Sequence, residues 1–290
     1  MGSMPQEWGE SDAWRREGEM SIDHDNLEEF QDPQSYDVEE EMISGPDVDF
    51  ALVEELAHTK GGPLLDLACG TGRIALRLAE QGYQVTGVDI SAPMIEWGRH
   101  KASQRDISME WVVADARFFQ LQKRFSLIYM LGNAFQLFLT RSDQEALLEC
   151  VREHLLPEGW FLFGTRNPSR YNLFEWGKSD QNTYTAPDGK QVVVTSHQEY
   201  DHLTQIQHHT FHTLHRNWQT TQQESGEKTT RLALRYVFPQ EMAALLFYNG
   251  FEILSQFGDW DQQALTENSP FMIYVCQRRS SKSGLVPRKL

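Results

Sequence analysis

Positive charge and cysteine are both scarce in this chain of 290 residues, which holds 26 Lys or Arg against 42 Asp or Glu and only three cysteines. Cys69, Cys150 and Cys276 are odd in number, far apart and without a CxxC pair. A disulfide framework and a zinc knuckle are thereby excluded, and a reducing compartment, the cytoplasm, is the expected setting. No run approaches the roughly 18 apolar residues of a membrane span. The nearest, from Phe125 to Leu139, is broken by Gly132, Asn133 and Gln136. The basic start and apolar core of an export signal are missing as well. A net charge of −16 speaks against nucleic acid as a partner, because phosphate binding rests on clustered Lys and Arg.

The shortage of positive charge is local. Residues 1 to 50 carry 16 acids against Arg15 and Arg16, so the rest of the chain is close to neutral. Residues 1–35 are expected to be an acidic, flexible segment, 36–277 the folded domain and 278–290 a tail. Leu285-Val286-Pro287-Arg288 resembles a thrombin site followed by vector-derived Lys289-Leu290, and Met1-Gly2-Ser3 resembles a cloning leader. Neither end enters the fold reasoning.

What the body of the chain does have is alternation of strands and helices. A helix is expected from Asp47 to His58, stopped by Gly61-Gly62-Pro63. Short apolar runs at Leu64–Ala68, Gln84–Val88, Met109–Val113, Phe125–Met130 and Trp160–Thr165 read as strands. Between them, Arg73–Gln81, Pro93–Ser103 and Ser142–Leu155 have helical spacing, the last with Ser142 and Glu145 placed as a capping box. Strands spaced by helices imply right-handed βαβ units and a doubly wound parallel α/β sheet. Beyond Thr165 the pattern changes. Lys190–Tyr200, Gln205–Trp218 and Thr229–Phe238 alternate with no helix between them, so an antiparallel β insertion is expected over about 168–237. A helix at Pro239–Tyr248 and strands at Phe251–Ser255 and Phe271–Cys276 complete the domain.

The chemistry points to the turn after the first strand, Asp66-Leu67-Ala68-Cys69-Gly70-Thr71-Gly72. Its glycines permit a tight turn and close approach of a ligand, and the helix that follows offers free N–H groups. Asp89, ending the second strand, suits both hydroxyls of a ribose, and Asp115, ending the third, an exocyclic adenine amine. Gly70-x-Gly72-x-x-Ala75 also matches the weak dinucleotide fingerprint. Asp66, however, stands four residues before Gly70, where it would repel a diphosphate and suit an α-amino group.

Through that turn, Val88-Asp89-Ile90-Ser91 with Met94, Ala114-Asp115-Ala116, and Leu155-Leu156-Pro157-Glu158-Gly159, the chain resembles class I S-adenosylmethionine-dependent methyltransferases over roughly residues 36 to 277. The resemblance implies a Rossmann-like, seven-stranded, mostly parallel sheet with its last strand antiparallel, and S-adenosylmethionine as cofactor. Asp66 and Gly70 would then lie at the methionine end, Asp89 at the ribose, and Met94, Asp115 and Ala116 around the adenine. Ala68, Thr71, Gly72, Ile90 and Leu131 complete the expected cofactor set.

Leu131-Gly132-Asn133-Ala134-Phe135 and Arg166-Asn167 are similar to segments of the glycine and sarcosine N-methyltransferases. In that group the arginine is implied to bind the substrate carboxylate, which gives Arg166 this expected role, against an ordinary salt bridge. Asn133 is expected to hold the amine by its side-chain carbonyl or to act as a turn residue, and Tyr36 to cover the cofactor. One departure stands out: no Lys or Arg occurs between Glu17 and His58, where that group would place a cofactor-binding arginine.

Six histidines, His197, His202, His208, His209, His212 and His215, crowd the insertion. On a strand, His208 and His212 lie about 13 Å apart, so solvated or pocket-lining positions are expected rather than a metal site. The expectation is a small-molecule methyltransferase, N-methylation preferred, with a homo-oligomer allowed and no membrane partner. An O- or C-methyltransferase of a natural product and a non-catalytic cofactor-binding protein remain alternatives.

Overall fold

Two sheets organise the computed structural model, which describes residues 24–44, 48–170, 178–185, 191–216 and 227–279. The first has seven strands in the order β10-β11-β5-β4-β1-β2-β3. These are β1 (Leu64–Leu67), β2 (Val85–Asp89), β3 (Glu110–Val113), β4 (Phe125–Met130), β5 (Leu155–Arg166), β10 (Phe251–Phe257) and β11 (Phe271–Arg278). All neighbours pair in parallel except β11, which is antiparallel to β5 and to β10. The second sheet is antiparallel, β6 (Lys178–Thr185), β7 (Gln191–Asp201), β8 (Ile206–Arg216) and β9 (Glu227–Arg235), and grows from the chain between β5 and the helix α6 (Pro239–Tyr248). The expected cloning sequences at both ends lie outside the described residues.

The core follows from strand position. β4 is buried at all six residues and β1 at all four, as expected of central parallel strands covered on both faces. One face packs Leu65, Leu67, Ile128, Met130, Phe161 and Phe163 against α5 (Arg141–His154) and α6. The other packs Leu64, Leu127, Tyr129 and Leu162 against α2 (Val48–Lys60) and α3 (Arg73–Glu80). Helix α4 (Ala92–Gln104) joins β2 to β3.

Three elements differ from the sequence reading. A helix α1 (Pro33–Ser44) precedes α2, and β6 adds a fourth strand to the insertion; neither has a strong apolar period. Helix α5 is capped by Thr140, whose Oγ1 accepts from Asp143 N at 3.1 Å, and not by Ser142. Glu145 of the expected box instead accepts from Arg141 Nε at 2.8 Å. Residues 24–35, within the segment expected to be flexible, run as two short 3-10 turns into α1. The Asn26 side chain there forms a two-way pair with the Ala233 backbone on β9, donating to its O at 3.0 Å and accepting from its N at 2.6 Å.

Candidate functional site

A cavity of about 1160 Å3 opens at the carboxyl ends of β1, β2 and β4, where open α/β sheets bind ligands. It exceeds the roughly 300–1000 Å3 usual for one small molecule. Tyr36, Asp66, Ala68, Gly70, Thr71, Asp89, Ile90, Met94, Asp115, Ala116 and Leu131 stand on its wall; Gly72, Asn133 and Arg166 do not.

Asp66 is the unusual member. It is only 4% exposed in the middle of a buried strand, level with Tyr129 on β4. Burial pushes its carboxyl up to about 8, with the Tyr129 phenol and the Arg73 cation acting the other way. The Tyr129 hydroxyl is buried and closes no hydrogen bond of ordinary geometry among the described residues. Burial likewise holds the Cys69 thiol well above its usual range, so it stays protonated and packs as a small apolar group.

Asp89 is held by the backbone. Its two carboxylate oxygens accept from Gly70 N and Ser91 N, each at 2.8 Å, which fixes the side chain at the mouth of the turn. Burial raises its pKa while the Ser91, Gly70 and Ile90 amides oppose the rise. Gly70 adopts φ +54° with open space at its Cβ position, whereas Gly72, at φ +81°, would drive a Cβ to 2.4 Å from the Trp111 ring. Gly72 therefore serves packing: the Trp111 indole lies against Gly72, Gly87 and Gly98 in turn.

Asp115 reaches the wall with its carboxylate already engaged. Arg117 donates to both its oxygens, by Nε at 3.0 Å and Nη2 at 2.6 Å, and also pairs with Asp143. Two contacts invisible to sequence reasoning close the other side. Asp37 of α1 accepts from Thr71 Oγ1, from Trp97 Nε1 at 2.8 Å and from Lys101 Nζ at 2.6 Å, tying α1 to the glycine turn and to α4. Phe30 O accepts from Ser91 Oγ at 3.0 Å, and Phe30 packs edge-on to Tyr36 with 5.7 Å between centroids.

Asn133 and Arg166 lie off the wall and are linked through Gln136. Asn133 takes the left-handed conformation at φ 59° and opens a 3-10 turn over Ala134–Leu137. Gln136 of that turn is fully buried and spans the two sheets. Its Oε1 accepts from Arg166 N at 2.9 Å and its Nε2 donates to Arg235 O on β9 at 3.2 Å. Among the described residues no carboxylate pairs with the half-buried Arg166 guanidinium, and the Asn133 side chain has no hydrogen bond. Asn167 is structural: its Nδ2 donates to Ser269 O at 2.9 Å and Thr266 O at 3.1 Å, holding the loop before β11. Of the histidines in the insertion, His202, His208 and His212 are exposed, His197 is half-buried and His209 is buried; the His215 side chain falls outside the described residues. No three His, Cys, Asp or Glu side chains converge as a metal site requires, among the described residues.

The chain is similar to known proteins in sequence and in fold. A family model described as "Methyltransferase domain" matches residues 64–159, the stretch from β1 to the start of β5. The cypemycin N-terminal methyltransferase of Streptomyces sp is 31% identical over 172 residues, covering 59% of this chain and 68% of that enzyme. Glycine N-methyltransferase of Rattus norvegicus is 30% identical over 159 residues, covering 49% of this chain and 50% of its own length. Among solved structures, an S-adenosylmethionine-dependent methyltransferase of Clostridium acetobutylicum superposes with a TM-score of 0.72 over 85% of this chain and 98% of that one. At 15% identity this speaks to the fold alone. No helix of the described residues is long and apolar enough to cross a membrane. The chain belongs to the S-adenosylmethionine-dependent methyltransferases.

Proposed function

We propose that the enzyme methylates the nitrogen of a small amine that also carries a carboxylate, by direct in-line transfer. The observation that carries this reading is the Arg166 guanidinium at the carboxyl end of β5, half-buried and without an acidic partner among the described residues. A planar two-donor group in that state suits a carboxylate. Two relatives, by name, act on an N-terminus and on glycine.

The cavity wall fits the cofactor. Asp66, buried beside the Tyr129 hydroxyl, meets the needs of a cationic amino group, which would return its carboxyl to the ionised form. Asp89, pre-set by two amides, keeps lone pairs for the ribose hydroxyls. Gly70, Thr71 and Ala68 border the same end, Ile90, Met94, Ala116 and Leu131 supply apolar contact for the base, and Asp115 with Arg117 closes its edge. Tyr36 and Phe30 cover the opening. When bound, S-adenosylmethionine supplies a methyl group on a positively charged sulfur. The chain's own contribution is alignment and exclusion of water. Arg166 holds the acceptor carboxylate and Asn133 receives the amine N–H on its side-chain carbonyl, so that the nitrogen lone pair faces the methyl carbon.

The test compares Arg166→Ala with wild type on alanine and on ethylamine, two amines that differ in the carboxylate. The expected outcome is a loss in kcat/KM of about 100-fold on alanine and a change within about threefold on ethylamine. Equal losses on both would reject a carboxylate clamp.

A further inference from the structure

Five cationic side chains stand on the cavity wall among the described residues, and their surroundings sort them. Arg117 is locked between Asp115 and Asp143, beyond the end of β3. Lys101 is held by Asp37 and Thr71 under α1. Arg77 stacks on the Phe50 ring at 3.5 Å, and Arg105 pairs with Glu80 where both side chains are exposed. Arg73 is placed differently. It opens α3 directly after Gly72, beside the turn that Asp66 and Gly70 line.

Asp49, near the start of α2, fixes the direction of that side chain. Its two carboxylate oxygens accept from Arg73 Nη1 at 3.0 Å and from Arg73 Nη2, so the guanidinium is held by a two-point contact. A guanidinium has five N–H donors in one plane, and this pair uses two of them. The group is half-buried on the wall, and its charge acts on the Asp66 carboxyl. An acid suited to an ammonium and a planar cation suited to a carboxylate therefore share one stretch of wall. Together they complement an α-amino acid.

The cover of that stretch supplies no positive charge. From α1 the wall receives Tyr36, Asp37 and Glu40, and no Lys or Arg occurs between Glu17 and His58. A carboxylate bound there has to find its cation on the turn itself. We infer that Arg73, held by Asp49, takes the carboxylate at the amino-acid end of S-adenosylmethionine, in place of a cation from the N-terminal segment. This inference rests on the reading of the cavity as the cofactor site.

The contact is worth more than an ordinary surface ion pair. Asp49 has already removed the rotamer freedom of a long side chain, and partial burial reduces competition from water. Methyl transfer leaves the amino-acid end of the cofactor unchanged, so Arg73 holds cofactor and product alike. Its contribution is to affinity and not to the rate of transfer. S-adenosylhomocysteine, the product, is for that reason a faithful probe of the contact.

The test measures Kd by isothermal titration for three ligands. They are S-adenosylhomocysteine, its decarboxylated counterpart, which keeps the amine, and methylthioadenosine, which lacks the whole amino-acid end. Wild type should bind the decarboxylated ligand about 30-fold more weakly than S-adenosylhomocysteine, the worth of a charge-assisted pair. In Arg73→Gln that gap should close to about threefold or less, with methylthioadenosine within about twofold of its wild-type Kd. Arg73→Lys keeps the charge and loses the two-donor plane, and a gap of about tenfold should return. A merely structural role would weaken all three ligands alike in Arg73→Gln, and that result overturns the inference, as does a gap that survives the substitution. Equal affinity of wild type for the first two ligands overturns it without any variant. Binding of methylthioadenosine with no such gap would leave the cofactor reading of the cavity standing and reject Arg73 alone; a wild type that binds none of the three would reject both.

Discussion

On the seven-stranded sheet, the carboxylate that ends β2 arrives at the cavity with each oxygen already held by a backbone amide; on the four-stranded sheet, the buried His209 keeps one nitrogen open. The glycine turn is braced from outside as well, by Asp37 through Thr71, Trp97 and Lys101. Around Arg166 and Asn133 there is no such bracing of the side chains among the described residues. The difference teaches how one fold serves many acceptors. The proposed cofactor end is pre-organised by two backbone amides that hold the Asp89 carboxylate, and on the proposed reading selectivity is left to the side chains of Arg166 and Asn133.

The comparison breaks most visibly at Asp89. If Asp89 holds both ribose hydroxyls, as proposed, Asp89→Ala removes two charge-assisted hydrogen bonds and should weaken S-adenosylmethionine by about 100-fold or more in isothermal titration. An unchanged Kd would mean that the first sheet does not hold the nucleoside there.

Asp66 sharpens it through pH. Its carboxyl stands near 8 in the folded, ligand-free chain against an ordinary 3.8. Between those values the folded state binds the extra proton, so stability falls as pH rises through the window and the loss is complete above about 8. The melting temperature of Asp66→Asn relative to wild type should therefore climb by about 3 °C or more from about pH 5 to about pH 8.5. A flat difference would show that the acid is not stored protonated.

Gly72→Ala probes the brace alone. A Cβ at φ +81° and 2.4 Å from Trp111 should cost about 1–3 kcal/mol of stability in urea unfolding, and a neutral result would show that the indole moves freely. The smallest effect belongs to Asn26→Ala. It cuts the two hydrogen bonds to Ala233, and about 1 kcal/mol is expected by the same measurement; any larger drop would make the N-terminal turns part of the core.

The two regions were also unequally legible in the sequence. The turn from Asp66 to Gly72, with Asp89 and Asp115 at strand ends, lies close along the chain in units whose spacing is set by βαβ geometry, so pattern and position coincide. Helix α1 was not legible, because Pro33–Ser44 is stabilised by Asp37 reaching Lys101, a contact 64 residues away that leaves no local apolar period. The cap at Thr140 was missed since Ser142 and Glu145 satisfy the same local rule, and only the backbone at Thr140, extended at φ −108° and ψ 157°, decides between them. His209 could not be told from five other histidines. Its burial follows from the register of β7, β8 and β9, which alternation alone does not specify.

On the proposed reading, Arg166 and Asn133 select an amine that carries a carboxylate. A labelled-methyl screen over amino acids, amines, phenols and thiols, with mass analysis locating the methyl group, tests it most directly. Transfer to nitrogen, fastest on amines that bear a carboxylate, is the predicted result; transfer to oxygen, sulfur or carbon, with amino-carboxylates left unmodified, would contradict it.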